Sequence, residues 1–325
     1  MKKTVYIPLD IEKEGKEYLI NKGYQIKVAV NVEKETLVKD VKDCDAILTR
    51  SNAMIDADVI QAGKKLKVIS KYGVGLNNID VDTATNRGVY VTNTPEANAN
   101  VVAEHTMALM LNLSKKILIM DKELRNGNFD IRSVVYSEDL EGKTLGIIGL
   151  GRIGRLVAEK ASNGFNMNVL GYDPYEERIP KNIKRIHSLE EILQASDVVS
   201  LHLPLLKSTK HIISRKEFQL MKKDAYFINT SRGGTVDEQA LIEALKNNEI
   251  AGAGIDVFES EPPNTNSELF SLNNVIVTPH SAALSKQGAV KMAVHAAMQI
   301  DQVLQGQQPS WPVNQIKQRY SYTGE

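Results

Sequence analysis

One cysteine, Cys44, occurs among 325 residues, which excludes an intrachain disulfide and, in a chain this long, points to a reducing compartment. A packed thiol is expected there rather than a nucleophile. An excess of charge of either sign is also missing, because forty Lys and Arg balance forty Asp and Glu. That balance removes the bulk attraction shown by nucleic-acid and anionic-membrane binders, so neither partner is expected. No apolar run reaches the length needed to span a bilayer. The opening MKKTVYIPLD meets Pro8 and Asp10 before an apolar signal core can form. Internal repeats and low-complexity segments are lacking too. What remains is 42% hydrophobic and 25% charged residues, an ordinary globular composition, in a chain longer than one core usually spans. A cytoplasmic, two-domain, enzyme-sized protein is expected.

Short β-branched runs alternate with amphipathic stretches, the pattern of βαβ units and parallel sheets. VYIPL, QIKVAV, DAILT, LKVIS and VYVTN read as one set of strands, and TLGIIGL, NVLGY, DVVSLHL, AYFINT, GAGIDV and NVIVTP as a second. Between the sets, residues 97–126 carry no proline and are apolar on more than one face. They predict one long buried helix, joining the domains or packing against a partner chain. The methionines Met107, Met110 and Met120 in this stretch read as packing residues. Helical periodicity returns between Ser285 and Gln305.

The strongest local motif is TLGIIGLGRIGRLVAEKA at residues 144–161: a strand, then Gly149, Gly151 and Gly154 in G-x-G-x-x-G spacing, then a helix. The glycines serve a tight turn, close approach to a pyrophosphate, and close helix–strand packing. The helix amino terminus offers N–H groups to phosphate. Alone the pattern is weak. Asp173, nineteen residues past Gly154 at the end of NVLGY, strengthens it, since a carboxylate there binds ribose hydroxyls and repels a 2′-phosphate. NAD is therefore expected over NADP.

Ligands of such a fold bind at the carboxyl ends of its strands. Arg232 follows AYFINTS, Glu261 follows GIDVFES, and His280 follows VIVTP. Histidine suits proton transfer near neutral pH, and a carboxylate neighbour fixes its tautomer. Arginine's planar fork suits a substrate carboxylate. Taken singly, each has a plainer reading as a loop histidine, a solvated glutamate or an ion-paired arginine; their convergence on one sheet edge favours chemistry. Gly233 and Gly234, alone a simple turn, are then expected to keep the approach to the Arg232 guanidinium clear for ligand. His202 sits at another strand end and is expected to border the cofactor. His105, His187, His211 and His295 are assigned no chemistry.

GLGRIG, YDP, SLHLP, NTSRGG, GIDVFESEPP and TPHSAA, in this order, resemble the D-isomer-specific 2-hydroxyacid dehydrogenase family, as do KYGVGLNNID and NTPEANANVVAEHT. The resemblance implies two doubly wound α/β parallel-sheet domains. These are a flavodoxin-like substrate domain from residues 1–98 plus 286–325, and a Rossmann NAD-binding domain from 99–285. It implies Arg232 as carboxylate binder, His280 as general acid/base and Glu261 as its partner. The implied cofactor contacts are Gly149, Gly151, Arg152, Ile153, Gly154, Asp173, His202, Leu203, Pro204, Thr230, Ser231, Arg232, Asp256, His280 and Ala282, with Asp256 at the nicotinamide carboxamide. Implied substrate contacts are the backbone of Tyr72, Gly73, Val74 and Gly75, the side chains of Arg232 and His280, and, for a phosphate, Arg50, Lys71 and Arg132. Lys71 departs from the arginine more usual there, and Ser281 from a branched apolar residue. No metal is implied, and a homodimer is. The phosphoglycerate dehydrogenase branch, acting in serine biosynthesis, is the first expectation. A hydroxypyruvate or glyoxylate reductase is the second, and an NAD-sensing corepressor-like binding protein is the reading of another class.

Overall fold

The structure is a computed structural model that describes residues 2–316. Residues 317–325, the end of the tail expected in the substrate domain, lie outside the described residues. The chain divides into two compact units: residues up to Asn98 together with Leu284 onward, and Ala99–Ala283.

The first unit carries five parallel strands, β1 (Thr4–Ile7), β2 (Gln25–Val28), β3 (Ala46–Thr49), β4 (Val68–Lys71) and β5 (Tyr90–Thr92), in the order β2-β1-β3-β4-β5. That is the flavodoxin-like order. Every residue of β3 and β4 is buried, as expected of central strands covered on both faces. Helix α1 (Lys13–Asn21) and the carboxyl-terminal helix Lys286–Leu304 cover one face, with Leu19, Met292, Ala296 and Ile300 in that core. The two helices lie so close that a Cβ on Gly15 would stand 2.8 Å from the Ala293 Cβ. Helices α2 (Lys34–Asp40), α3 (Ala57–Ala62) and α4 (Val81–Asn86) supply the other core with Leu37, Val59, Ile60 and Ala84. Asp56 and Asp80 start α3 and α4 by accepting the N–H groups of Val59 and Thr83, each such cap contributing about 1 kcal/mol.

The second unit holds α5 (Ala99–Lys115), α6 (Ile117–Arg125), β6 (Thr144–Ile148), α7 (Arg152–Phe165), β7 (Asn168–Tyr172), β8 (Lys184–Arg185), α8 (Leu189–Ala195), β9 (Val198–Leu201), α9 (Arg215–Leu220), β10 (Tyr226–Asn229), α10 (Glu238–Lys246), β11 (Gly252–Ile255) and β12 (Val275–Val277). The strands run in the order β12-β11-β10-β9-β6-β7-β8, and every pairing is parallel. The order reverses between β6 and β9, so the loops following these strands open a crevice at the topological switch point. Because the strands are parallel, the segments after β6, β9, β10, β11 and β12 all emerge on one edge.

The single helix expected over 97–126 is two helices. Lys116 breaks it with a left-handed φ of 55°, and its ammonium donates to the Tyr226 hydroxyl at 2.9 Å. Nine residues of α5 are buried, whereas none of α6 is. Burial therefore belongs to the first half alone. The two-residue β8 was not expected either.

Candidate active site

Three glycines shape the loop after β6. Gly149 has φ 97°, and a Cβ there would stand 2.5 Å from the His202 carbonyl oxygen. At Gly154 a Cβ would lie 2.2 Å from the Gly149 carbonyl oxygen, whereas at Gly151 it would meet nothing within 4 Å. The first and third glycines thus permit close packing, and the second faces an opening. Gly151 is also the N-cap of α7, with no side chain capping it, so Arg152 and Ile153 form the first turn of a helix suited to a phosphate. Asp173 closes the adjacent strand. Its Oδ2 accepts the Leu150 N–H and its Oδ1 the Tyr175 N–H, both at 2.9 Å. A carboxylate has about four acceptor positions, so the two backbone bonds fix its direction while leaving acceptor capacity.

His202 donates its backbone N–H to the Ile148 carbonyl, and its Nε2 lies 2.9 Å from Ser200 Oγ. Burial pushes its imidazole down to about 4, so it is neutral at physiological pH. Leu203 and Pro204 continue this loop: Leu203 packs beside Gly149, and the Pro204 carbonyl accepts the Thr209 hydroxyl at 2.6 Å.

Arg232 follows β10. Its Nη1 donates to the Ser231 carbonyl at 2.6 Å. Burial pulls the guanidinium below its ordinary value and the Glu261 charge opposes that; an arginine stays cationic regardless. The neighbouring Ser231 is pinned through its N–H and Oγ to Asn229 Oδ1, and Thr230 Oγ1 lies 2.9 Å from Thr106 Oγ1 of α5. The glycines after Arg232 correct the expectation drawn from them. A Cβ on Gly233 would stand 1.9 Å from the Phe258 carbonyl oxygen, and one on Gly234 would stand 3.0 Å from Leu205 Cδ2. The missing side chains make room for protein, and at Gly233 for the loop that carries Glu261.

His280 and Glu261 form the centre of the arrangement, with His280 Nδ1 lying 2.6 Å from Glu261 Oε2. The other carboxylate oxygen, Oε1, accepts the Phe258 N–H. An ionised Glu261 accepts a hydrogen from Nδ1, which leaves Nε2 as the atom that exchanges a proton. His280 has φ 50°, a conformation costing a non-glycine residue on the order of 1–3 kcal/mol and sustained only by its surroundings. Here those surroundings are Asp256, which is fully buried. The Asp256 backbone carbonyl accepts the His280 N–H at 2.8 Å. Its Oδ1 accepts from the Thr278 hydroxyl and the Ser281 N–H, and its Oδ2 from the Ala282 N–H. Ser281 therefore enters through its backbone.

Two histidines given no role from sequence stand in this region. His105 of α5 places Nε2 3.1 Å from Thr278 Oγ1, and His211 Nε2 lies 2.6 Å from Glu259 Oε1. The available signal for His105 is its spacing of four and eight residues to Leu109 and Leu113, which α5 lays against Gly254 of β11.

In the first unit, Gly73 turns with φ 116°, and Thr94 clamps it by accepting its N–H at 3.0 Å. Val74 is exposed and Gly75 half-buried, while Tyr72 is buried. The Arg50 guanidinium stacks on the Tyr72 ring at 5.0 Å. Lys71 is 1% exposed, and its ammonium donates to Asn78 Oδ1 at 2.6 Å and Ser51 Oγ at 3.0 Å. The ammonium of this expected phosphate contact thus braces the segment after β3. Arg132, in the second unit, is exposed and stacks on Phe129 at 4.3 Å.

Residues 107–282 match the family model of the D-isomer specific 2-hydroxyacid dehydrogenase, NAD binding domain. The chain belongs to this family. It is 43% identical over 289 residues to a D-3-phosphoglycerate dehydrogenase of Methanocaldococcus jannaschii, covering 87% of this chain and 54% of that protein. It is 38% identical over 323 residues to a glyoxylate reductase of Korarchaeum cryptofilum, covering 97% of each. The chain thus spans about half the length of the phosphoglycerate dehydrogenases it matches. The crystal structure of a Thermus thermophilus protein is similar with a TM-score of 0.89 at 33% identity, over 96% of this chain and 100% of that one.

For a member of this family the nucleotide loop fits its coenzyme, since the opening at Gly151 is one a Cβ would fill and α7 begins directly behind it. When bound, a nicotinamide dinucleotide supplies or accepts the hydride. The protein's own residues can hold an anion at Arg232 and move a proton at His280 Nε2, with Glu261 stabilising the imidazolium. No helix among the described residues is long and apolar enough to cross a membrane, and no cluster there has the makings of a metal site.

Proposed function

We propose that the chain is an NAD-dependent oxidoreductase interconverting a D-2-hydroxy acid and its 2-oxo acid. The observation that carries the reading is the 2.6 Å His280–Glu261 pair, beside an arginine whose guanidinium feels the Glu261 charge. In reduction, the substrate carboxylate pairs with the Arg232 fork, and His280 Nε2 delivers a proton to the oxygen as hydride reaches the carbon. Oxidation reverses both transfers. Asp173 supports NAD over NADP, since its fixed carboxylate accepts ribose hydroxyls and repels a 2′-phosphate.

Unit one is proposed as the substrate domain, with the Tyr72–Gly75 backbone as a carboxylate contact. Burial of Lys71 favours short unphosphorylated acids of the glyoxylate and hydroxypyruvate type. Similarity along almost the whole of a glyoxylate reductase supports the same choice. The 3-phosphoglycerate reading of the serine pathway is second, supported by the 43% identity to a phosphoglycerate dehydrogenase, with Arg50 and Arg132 as candidate phosphate contacts. A cytoplasmic location is part of this proposal, as is a homodimer. The dimer reading is supported by exposed Ile117, Leu118, Leu124, Phe129, Val134 and Tyr136 on and beyond α6, and sedimentation velocity tests it.

The deciding experiment is a panel of 2-oxo and 2-hydroxy acids with NADH or NAD, followed by absorbance. Turnover of hydroxypyruvate or glyoxylate above that of 3-phosphohydroxypyruvate is expected. Preference for the phosphorylated acid moves the assignment to the second reading, and no turnover with any acid overturns the enzymatic one.

A further inference from the structure

Asp256 holds three consecutive residues of the His280 segment. Its carbonyl accepts the His280 N–H, and its carboxylate accepts the N–H groups of Ser281 and Ala282, both at 2.9 Å. The direction of this carboxylate is set from behind. Thr278 Oγ1 donates to Asp256 Oδ1 at 2.5 Å, using the one proton a hydroxyl possesses. Toward His105 Nε2, 3.1 Å away, Thr278 Oγ1 can then only accept, so His105 carries hydrogen on Nε2. The same Nε2 lies 3.8 Å from Asp256 Oδ1. The result is a one-way chain from α5 through Thr278 to Asp256 and on to the backbone holding His280 at φ 50°.

We propose that His105 is a positioning residue for His280. Acting through Thr278 and Asp256, its Nε2–H keeps the 280–282 segment in the backbone conformation that presents His280 to substrate. This rests on the dehydrogenase reading for its kinetic consequence, though not for its structural one. A small displacement of a reacting group is enough to slow chemistry about a hundredfold. His105→Leu removes the donor, His105→Gln retains an N–H donor, and Thr278→Val breaks the next link.

The test measures kcat and KM with the best 2-oxo acid of the panel, the primary isotope effect with deuterated NADH, and thermal unfolding. It also follows the His280 Nδ1–H resonance in 15N-histidine-labelled protein, which needs no turnover. His105→Leu should lower kcat about ten- to a hundredfold with KM for the acid little changed. The isotope effect should rise and the His280 resonance broaden. His105→Gln should restore all three, Thr278→Val should copy the leucine variant, and the double variant should be no worse than either single one. A leucine variant with wild-type kcat and an unchanged His280 resonance, losing only thermal stability, overturns the proposal. So does a glutamine variant as impaired as the leucine one. Should the wild type reduce no acid, the enzymatic reading falls, and the resonance alone decides the positioning role.

Discussion

Gly233 lies against the backbone of Phe258 so closely that a Cβ would stand 1.9 Å from the Phe258 carbonyl oxygen. Through this contact the segment carrying Arg232 and the segment carrying Glu261 hold each other in register. Gly233→Ala must push them apart, and such overpacking costs about 1–3 kcal/mol. Urea unfolding should show that loss and steady-state kinetics a fall in kcat. An alanine variant with wild-type turnover would mean the two segments act independently.

His280→Ala removes the proton-transfer group while leaving the glycine loop intact. Turnover should fall by roughly 10²–10⁴-fold, the usual contribution of a general acid or base. NADH affinity, read by fluorescence titration, should remain close to wild type. Near-normal turnover would remove His280 from the chemistry.

Coenzyme choice should respond to Asp173. A hydrogen bond to a charged group contributes about 1.5–3 kcal/mol, so Asp173→Ala should narrow the preference for NADH over NADPH by roughly ten- to a hundredfold. The quantity to compare is kcat/KM with each coenzyme. A wild-type preference for NADPH would count against the assignment.

The depressed imidazole of His202 makes a pH prediction. Its ordinary value is 6.5 and burial lowers it to about 4. Between these values the unfolded chain binds the proton and the folded one does not, so stability falls as pH drops from about 6.5 toward 4 and the penalty levels off below that. One pKa unit corresponds to 1.36 kcal/mol, which makes this contribution on the order of 3 kcal/mol. His202→Gln should lose less stability than wild type between pH 7 and pH 4.5 in urea titrations. Equal losses would show that other groups dominate acid sensitivity.

The sequence by itself determined the two sets of parallel strands, the glycine loop with its aspartate, and the strand ends bearing Arg232, Glu261 and His280. These are legible because periodicity, turn chemistry and strand direction are local properties, and parallel strands deliver their carboxyl ends to one edge. The tertiary structure alone decided what depends on partners distant in the chain. The helix breaks at Lys116, whose ammonium reaches Tyr226, 110 residues on. Gly233 is bare because Phe258 passes over it, a contact invisible to turn statistics. Lys71 looks like a ligand-facing cation at the end of a strand, yet Asn78 and Ser51 take its ammonium inside the fold. His105 reads as one more helical residue until α5 packs on the sheet and brings it to Thr278, 173 positions away. Local pattern specifies the type of each element, and long-range packing specifies which side chains meet, because close approach and burial exist only after the chain has folded.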